Sequence, residues 1–442
     1  MVDLSGLWYN LEVKILGIET SCDETAAAVV EDGVRILSNV VVSQIDIFAE
    51  YGGVIPEVAA RSHLEVMMPV VSKALKDASC TWDDIDTIAV TYAPGLLGSL
   101  LIGTLTARTL AILHDKPLYA VHHLKSHVYA NWLNKGKVEP VLSSAGLEKS
   151  GTSYTGRPGE PSPSETNLSA SSGIYVPDFS NHFMLQKEQV PTFPTFPILA
   201  LVISGGHTQI LYMPAHNQFE IIGTTRDDAV GECFDKVAKI LGLPYPGGPS
   251  IAKAAQGEFK TVAACPSDTL RAALAKSSRS AEHIAPVLNS PGDALKYRLP
   301  HPIIDGLDFS FSGLKTAVLR AVQKEVGVPI SYPSHKLKEL LTPQQVADFA
   351  ASFQKTAVDI LVEKLNLARK MHPDVKSVVI AGGVSANKAL RKALPEAYFP
   401  APCFSGDNGA MVAAAAYYEI QSGVKPTDPY KLNIYPRISI EK

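Results

Sequence analysis

Two histidines four positions apart are the first residues in this chain whose types and spacing suggest chemistry. His123 and His127 stand in the segment HHLKSH. On a helix their imidazoles lie on one face and within reach of one cation, although solvated or structural histidines are the commoner explanation. A zinc protease would need the pattern HExxH, and here Leu124 occupies the glutamate position. The pair therefore allows a metal site and disfavours proteolysis, while His122, on a different helical face, is predicted to be structural.

Glycine-rich turns form the second group of candidates. The apolar run 198–204 leads into a turn formed by Ser204, Gly205 and Gly206. Glycines at such a turn let backbone N–H groups approach a phosphate. An ordinary tight hairpin explains the turn equally well. The segment PGGP at 246–249 offers a flat wall for a base or ribose, or is a simple loop. Each turn is a candidate nucleotide contact.

Three polar side chains accompany these turns. Asp235, in GECFDK on a predicted helix, would accept ribose hydroxyls or is a solvated carboxylate. Asn387 ends the segment GGVSAN near a predicted helix start, where free amides favour an anion; helix capping explains Ser385 in that segment equally well. Asp407 precedes an alanine-rich helix and is either an N-cap or a hard oxygen ligand. None of these residues identifies a site alone.

The elements that must position these residues follow one plan twice. In the first half, apolar runs predict a strand at 14–20, a hairpin over 26–42 with an Asp32-Gly33 turn, a helix over 56–78 and strands at 87–91 and 118–121. The second half repeats this order with strands at 198–204, 207–213, 219–223 and 377–381, separated by helices. The repeat predicts a duplicated α/β fold of mixed sheets flanked by helices, whose glycine turns face one cleft.

The predicted organisation is a leader (1–13), a first subdomain (14–132), a linker (133–197) and a second subdomain (198–442) whose C-terminal helix packs back on the first. The linker contains an insertion at about 141–172 rich in Ser, Gly, Thr and Pro, which cannot bury enough apolar surface to offset its ordering entropy. A second surface insertion is predicted at about 263–294.

Composition narrows the classes of protein further. The net charge of −4 over 442 residues gives no whole-molecule attraction to nucleic acid, so RNA binding would need a local basic face. Five cysteines without a CxxC pair disfavour a disulfide framework and a thiolate zinc site. The most apolar stretch, 94–113, is broken by glycines and Arg108, which predicts a buried helix and no membrane span. The first residues lack the features of a secretory signal or an arginine-rich transit peptide.

Eight motifs in order closely resemble the tRNA N6-adenosine threonylcarbamoyltransferases. They are GIETSCDET (17–25), HHLKSH (122–127), LVISGGHTQI (201–210), GECFDK, YPGGP, DFSFSGLKT (308–316), AGGVSANKALR (381–391) and GDNGAM (406–411). The resemblance covers nearly the whole chain except the leader, the insertions and the C-terminal tail. SCDET and SGGHT are similar to the bacterial and organellar branch, and Val202 stands where the archaeal and eukaryotic cytosolic branch has a tyrosine ligand.

The resemblance implies an actin-like ATPase fold and a reaction. A threonylcarbamoyl group would pass from threonylcarbamoyl-AMP to N6 of the adenosine just 3′ of the anticodon, in tRNAs that read codons beginning with A. One divalent metal per subunit, iron or zinc, would be held by His123, His127 and Asp407 and would bind the threonylcarbamoyl end.

The resemblance also implies how the donor is held. Backbone amides of the strand end would cradle the phosphate and carbamoyl region, namely those of Val202, Ile203, Ser204, Gly205 and Gly206. Asp235, Gly248 and Asn387 would hold the adenosine of the leaving AMP. Ala252 stands where some members carry an aspartate, so one nucleotide contact would be absent.

Asp23 and Glu24, at the first hairpin, would face the cleft, and one of them is the candidate for orienting or deprotonating the attacking amine.

Partners and alternatives follow from the same resemblance. tRNA is the expected substrate, a separate enzyme would supply threonylcarbamoyl-AMP, and the expected assembly is a homodimer in the mitochondrial matrix, with a bacterial cytoplasm as the alternative. A small-molecule kinase of the same fold is a second interpretation, although such kinases hold Mg²⁺ mainly through carboxylates and water. A scaffold with a vestigial site is a third, and a metalloprotease is the least favoured.

Overall fold

A computed structural model describes residues 12–133, 193–257, 295–301 and 304–441. The two predicted insertions, at about 141–172 and 263–294, lie outside these residues, as does the leader up to residue 11.

The first sheet is mixed. It contains β1 (Lys14–Glu19), β2 (Glu24–Glu31), β3 (Arg35–Ser43), β4 (Thr87–Ala93) and β5 (Leu118–His122) in the order β3-β2-β1-β4-β5. β1, β2 and β3 are antiparallel neighbours, and β4 and β5 run parallel to β1. Asp32 and Gly33 join β2 to β3 with φ of 53° and 67°, the positive values that a type I′ hairpin turn needs. The predicted hairpin is confirmed.

The second sheet repeats four of these strands. β6 (Ile198–Ile203), β7 (Thr208–Met213), β8 (Glu220–Thr224) and β9 (Ser377–Ala381) have the order β8-β7-β6-β9, with β9 parallel to β6. This order matches β3-β2-β1-β4 in the first sheet. The predicted duplicated α/β fold with mixed sheets is therefore confirmed.

Helices cover the faces of both sheets. In the first half they are α1 (Ile45–Tyr51), α2 (Pro56–Asp77), α3 (Leu97–Leu113) and α4 (His123–Tyr129). In the second half they are α5 (Val230–Leu241), α6 (Gly247–Ala255), α7 (Ser312–Glu325), α8 (Pro343–Met371), α9 (Lys388–Ala393) and α10 (Gly409–Gln421), with a 3-10 turn at Ser334–Glu339. Side chains alternate across each strand, so Leu16 packs with α2 and α3 while Ile15 packs on the face covered by α10.

The last helix joins the two halves. α10 follows the second sheet along the chain but packs on the first, and a Cβ added to Gly17 would lie 2.2 Å from the carbonyl oxygen of Gly409. Beside it, the rings of His216 and Tyr418 stack with centroids 4.2 Å apart, and Tyr129 of α4 stacks on Tyr418 at 4.8 Å. α4 is therefore fixed between α10 and the β7–β8 connection.

α3 differs from its prediction as a buried helix. Its inner face is buried, but Leu97, Leu101 and Leu105 are exposed on the outer face. A helix that is apolar on all sides gives no periodic sign of which side faces the core. Among the described residues, no helix has the length and apolar character needed to cross a membrane.

Candidate active site

Three side chains from distant parts of the chain meet at the junction of the two halves. His123 and His127 lie one turn apart on α4, and Asp407 lies just before α10, whose N-cap is Asn408. Asp407 Oδ1 is 3.1 Å from His127 Nε2 and 3.7 Å from His123 Nε2. One potential ligand atom from each residue lies within 4.8 Å of the other two. The structure therefore brings together the three predicted metal ligands.

His127 tests whether this group fits a cation. Its side chain is 1% exposed, and neither ring nitrogen forms a hydrogen bond with any described residue, although Asp407 is close. Buried polar atoms are nearly always paired. Two imidazoles and a carboxylate are the donor set that zinc and iron accept. We conclude that a divalent metal fits these residues and would satisfy His127.

A buried carboxylate orients His123. Glu19, at the end of β1, lies 3.2 Å from His123 Nδ1 through Oε2 and is fully buried. The same oxygen accepts a hydrogen bond from the hydroxyl of Thr91 at 2.5 Å. A proton on Nδ1 donated to Glu19 makes Nε2, which faces Asp407, the nitrogen that would bind a metal, and this is the usual support of a histidine ligand. Glu19 was not predicted, although a carboxylate ending an apolar strand was a signal.

The charges of this group are strongly coupled. Burial opposes charge on His123, yet the carboxylates of Asp407 and Glu19 raise its pKa to about 9. Burial alone would raise the pKa of Asp407, but His123 and His127 bring it down to about 2. The site is thus built from carboxylates that need a positive partner.

His207 is a second neighbour that the sequence analysis did not single out. It ends the β6–β7 turn, where its N–H donates to Ser204 Oγ at 3.2 Å and its carbonyl accepts from the Ser204 amide at 2.8 Å. Burial and the positive charges of His123 and His127 lower its pKa to about 4. The glycine turn and the metal group therefore border the same space. The signal was its place in SGGHT, directly after the predicted cradle.

The predicted phosphate cradle covers the end of β6 and the turn that follows it. Val202 and Ile203 lie inside β6, fully buried and paired with β7, and the amide of Ser204 is already bonded to His207. Of the five amides of the predicted cradle, those of Gly205 and Gly206 lie in the turn outside β6. A Cβ added to either glycine would meet no atom within 4 Å. Gly248 and Gly383 face open space in the same way.

Two of the predicted nucleotide-binding residues, Asp235 and Asn387, form hydrogen bonds within the protein. Asp235 on α5 accepts a hydrogen bond from the amide of Gly247 at 2.7 Å through Oδ1, and burial, aided by the charge of Asp23, raises its pKa to about 6. Asn387 caps α9: its side-chain oxygen accepts from Ala389 N at 2.9 Å, and its amide donates to Gln354 at 2.9 Å. Asn387 itself, and not Ser385, is the helix cap.

Asp23 ends the turn between β1 and β2, and Glu24 is the first residue of β2. We call Asp23 and Glu24 the acidic turn. Burial, then the charges of Asp23 and Asp407, raise the pKa of the Glu24 carboxyl well above its usual range. The charge of Asp23 also raises the pKa of Asp235, which lies in the second half of the chain. The acidic turn therefore faces the second half. The structure thus places the predicted acidic pair near the metal group.

Fold and site together define a class: a duplicated α/β fold of mixed sheets with a buried His-His-Asp group beside glycine turns. The family model described as tRNA N6-adenosine threonylcarbamoyltransferase matches residues 35–147 and 180–414. A curated relative of that name from Symbiobacterium thermophilum is 40% identical over 423 residues, which cover 94% of this chain and 94% of the relative. Another, from Bacillus cereus, is 38% identical over 438 residues, which cover 97% of this chain and 96% of the relative.

The chain therefore belongs to the tRNA N6-adenosine threonylcarbamoyltransferase family and is a transferase. This membership takes the place of the kinase, scaffold and protease interpretations. Component A of (R)-2-hydroxyglutaryl-CoA dehydratase from Acidaminococcus fermentans is a similar solved structure, with a TM-score of 0.40 and 14% identity over 93% of this chain and 99% of that one.

Proposed function

We propose that the protein transfers a threonylcarbamoyl group from threonylcarbamoyl-AMP to N6 of the adenosine 3′ of the anticodon, in tRNAs reading codons that begin with A. The observation that carries this proposal is the common space bordered by the metal group and the glycine turn, with His207 between them. A donor with a carbamoyl at one end and an adenylate at the other needs these two kinds of contact side by side.

The reaction exchanges one acyl bond for another. The N6 amine attacks the carbamoyl carbon, a C–N bond forms, the bond from that carbon to the phosphate oxygen breaks, AMP leaves and N6 loses one proton. A metal held by His123, His127 and Asp407 would supply Lewis acidity toward the carbamoyl oxygen. The amides of Gly205 and Gly206 would bind the phosphate as the leaving group gains charge.

The acidic turn is the candidate for handling the amine proton. Asp23 and Glu24 lie side by side, and the raised pKa of Glu24 keeps it protonated where an isolated glutamate would be ionised. The Glu24 carboxyl forms a hydrogen bond with Asp23, and a carboxylate oxygen of Asp23 would accept a hydrogen bond from the amine. We assign the accepting role to Asp23. General-base help of this kind increases the reaction rate by roughly a hundred- to ten-thousand-fold.

The test is reconstitution. The purified protein is incubated with unmodified tRNA, threonine, bicarbonate, ATP and an enzyme that makes threonylcarbamoyl-AMP, and the nucleosides are analysed by mass spectrometry. We expect threonylcarbamoyladenosine only in tRNAs reading codons that begin with A, and its loss in His127→Ala. Donor formation without any modified adenosine in the wild-type reaction would overturn the proposal.

We further propose a homodimer formed through α2 and α3. The outer faces of these helices expose Leu64 and Leu97 (68% and 58%), and the helices touch where a Cβ on Gly98 would lie 3.0 Å from Ala60 Cβ. A continuous apolar surface of this kind usually marks an interface. Exposed Arg61 and Glu65 flank it on α2, so a twofold axis can pair each with the opposite charge of the second copy.

Light scattering after gel filtration tests the dimer. The wild type should have the mass of two chains, and Leu101→Glu should have the mass of one, whereas Leu367→Glu on α8 should leave the dimer intact. A wild-type monomer at micromolar concentration would assign the surface to a different partner and refute the homodimer.

The metal identity and the compartment are part of the proposal. Elemental analysis of the purified protein should find one iron or zinc per subunit, lost in His123→Ala. The mitochondrial matrix stays a prediction, with a bacterial cytoplasm as the alternative; the relatives named above are bacterial. Fluorescence microscopy of the tagged natural gene product decides between them.

A further inference from the structure

A group of three lysines lies at the end of α5. Lys239 is in the last turn of α5, and Lys336 and Lys338 are in the 3-10 turn Ser334–Glu339. All three are exposed, and no carboxylate in the described ranges forms an ion pair with any of them. We call Lys239, Lys336 and Lys338 the lysine rim. The same turn also carries the exposed carboxylate of Glu339. Three lysines against one carboxylate make a local basic surface in a chain with a net charge of −4.

Packing holds the lysine rim together. α5 ends at Leu241, and its C-cap Gly242 has a φ of 74°, a left-handed conformation that favours glycine. A Cβ at Gly242 would lie 2.6 Å from Lys338 Cβ. Leu337, between the two lysines of the 3-10 turn, is fully buried and shares a core with Leu241 of α5. The buried leucine fixes the lysines on either side of it toward solvent.

The lysine rim borders the candidate active site. Tyr245 follows Gly242 by three residues, a span of at most about 11 Å. Burial and the charges of Asp23 and Asp235 raise the pKa of the Tyr245 phenol, so this ring lies beside the acidic turn. A surface cation group therefore lies one short loop from the carboxylates assigned to the attacking amine.

We propose that the lysine rim binds the phosphate backbone of the tRNA next to the target adenosine and so brings its N6 amine to the acidic turn. This inference deepens the proposed function and rests on it for the identity of the nucleic acid. A single-stranded anticodon loop exposes its phosphates while a base is turned into a pocket, and lysines bind such phosphates without reading sequence. The acidic turn itself would repel the backbone, and the lysine rim would supply the positive charge that attracts it.

The test compares two double variants. Lys336→Ala/Lys338→Ala removes most of the rim. Lys370→Ala/Lys376→Ala removes two exposed lysines near the start of β9, at the opposite end of that strand from the glycines that follow it. Filter binding measures the dissociation constant for tRNA between 50 and 200 mM salt, and steady-state kinetics measures KM for tRNA and kcat.

For the rim variant we expect roughly tenfold weaker tRNA binding, a similar rise in KM and an unchanged kcat. The slope of log affinity against log salt should fall by about 1.5. The control variant should match the wild type, and Lys239→Ala should give a smaller loss in the same direction. Binding and salt dependence equal to the wild type in the rim variant would overturn the inference.

The two proposals fail differently. Binding is measured without transfer, so the lysine rim is tested even if the wild type modifies no adenosine. Normal wild-type transfer with undiminished tRNA binding by the rim variant would refute the rim alone.

Discussion

His63 holds Cys22 in place: the imidazole Nε2 donates a hydrogen bond to the carbonyl oxygen of Cys22 at 2.9 Å. A carbonyl only accepts, so the proton is on Nε2, and Nδ1 accepts from the hydroxyl of Thr25 at 2.8 Å. His63 is fully buried on α2, and burial lowers its pKa, which keeps it neutral. One side chain therefore holds both ends of the turn that carries Asp23 and Glu24.

Replacing His63 should disturb the acidic turn without emptying the metal site. His63→Ala deprives the Thr25 hydroxyl of its partner, removes one of two donors to the Cys22 carbonyl and leaves a cavity. We expect it to lower the free energy of unfolding by roughly 2–4 kcal/mol. kcat for tRNA modification should fall more than tenfold while metal content stays at the wild-type level. Denaturant unfolding, elemental analysis and kinetics measure these quantities.

His335→Ala, at an exposed position, is the matched control and should leave all three quantities unchanged. A wild-type kcat in His63→Ala would remove the positioning role.

Glu19 should control metal affinity through His123. Glu19→Gln keeps the size of the side chain but weakens the hydrogen bond at His123 Nδ1, and losing such a partner typically costs 10- to 100-fold in metal affinity. We expect that range in competition titrations with a chelator, with the fold retained by circular dichroism. Asp86→Gln, on an exposed carboxylate that bonds the amide of Lys14, should not change affinity, and equal affinities in the two variants would contradict the role of Glu19.

The sequence predicted what local chemistry determines. Asp32-Gly33 is a turn whatever surrounds it, and two histidines four apart share a helix face. Asp407 has no periodic relation to them, and only the resemblance to a family predicted its place. Glu19 and His207 each carried a local signal, but that signal did not show that they would meet His123, which depends on how separate strands come together.

α3 shows what a hydrophobic sequence pattern does not predict. Its apolar residues continue around the helix and predicted a buried helix, whereas the structure leaves Leu97 and Leu101 exposed. An apolar sequence pattern indicates that a helix surface will be covered, but it does not indicate whether this chain or another one covers it.

The buried Glu419 should make stability depend on pH. Burial outweighs the nearby Lys125 ammonium, 3.7 Å away, and raises the pKa of Glu419 to about 7. In the unfolded chain the value is about 4.3, so the folded state binds more protons between these values. Its contribution to stability is complete below about pH 4.3 and is lost as pH rises through about 7.

Glu419→Gln removes this titration. The free energy of unfolding of the variant relative to the wild type should therefore rise between pH 5 and pH 8, by roughly 2–3 kcal/mol. Glu339→Gln, at an exposed position in the 3-10 turn, should give a difference that does not vary with pH. A flat difference for Glu419→Gln would show that this carboxyl is ionised throughout.

The C-terminal segment should stabilise the metal-bearing helix from outside. His122 Nδ1 accepts from the amide of Leu124 and so caps α4, while its Nε2 donates to the carbonyl oxygen of Ile438 at 3.3 Å. Ile440 is buried, at 2% exposure, in the core shared by α4 and α10. Ile440→Ala should lower the free energy of unfolding by roughly 2–4 kcal/mol, whereas Ile330→Ala, 69% exposed, should change it by less than about 0.5 kcal/mol. Because His122 caps the helix that carries both histidine ligands, a loosened segment should also weaken metal binding, and a destabilised Ile440→Ala with wild-type metal affinity would limit the segment to a packing role.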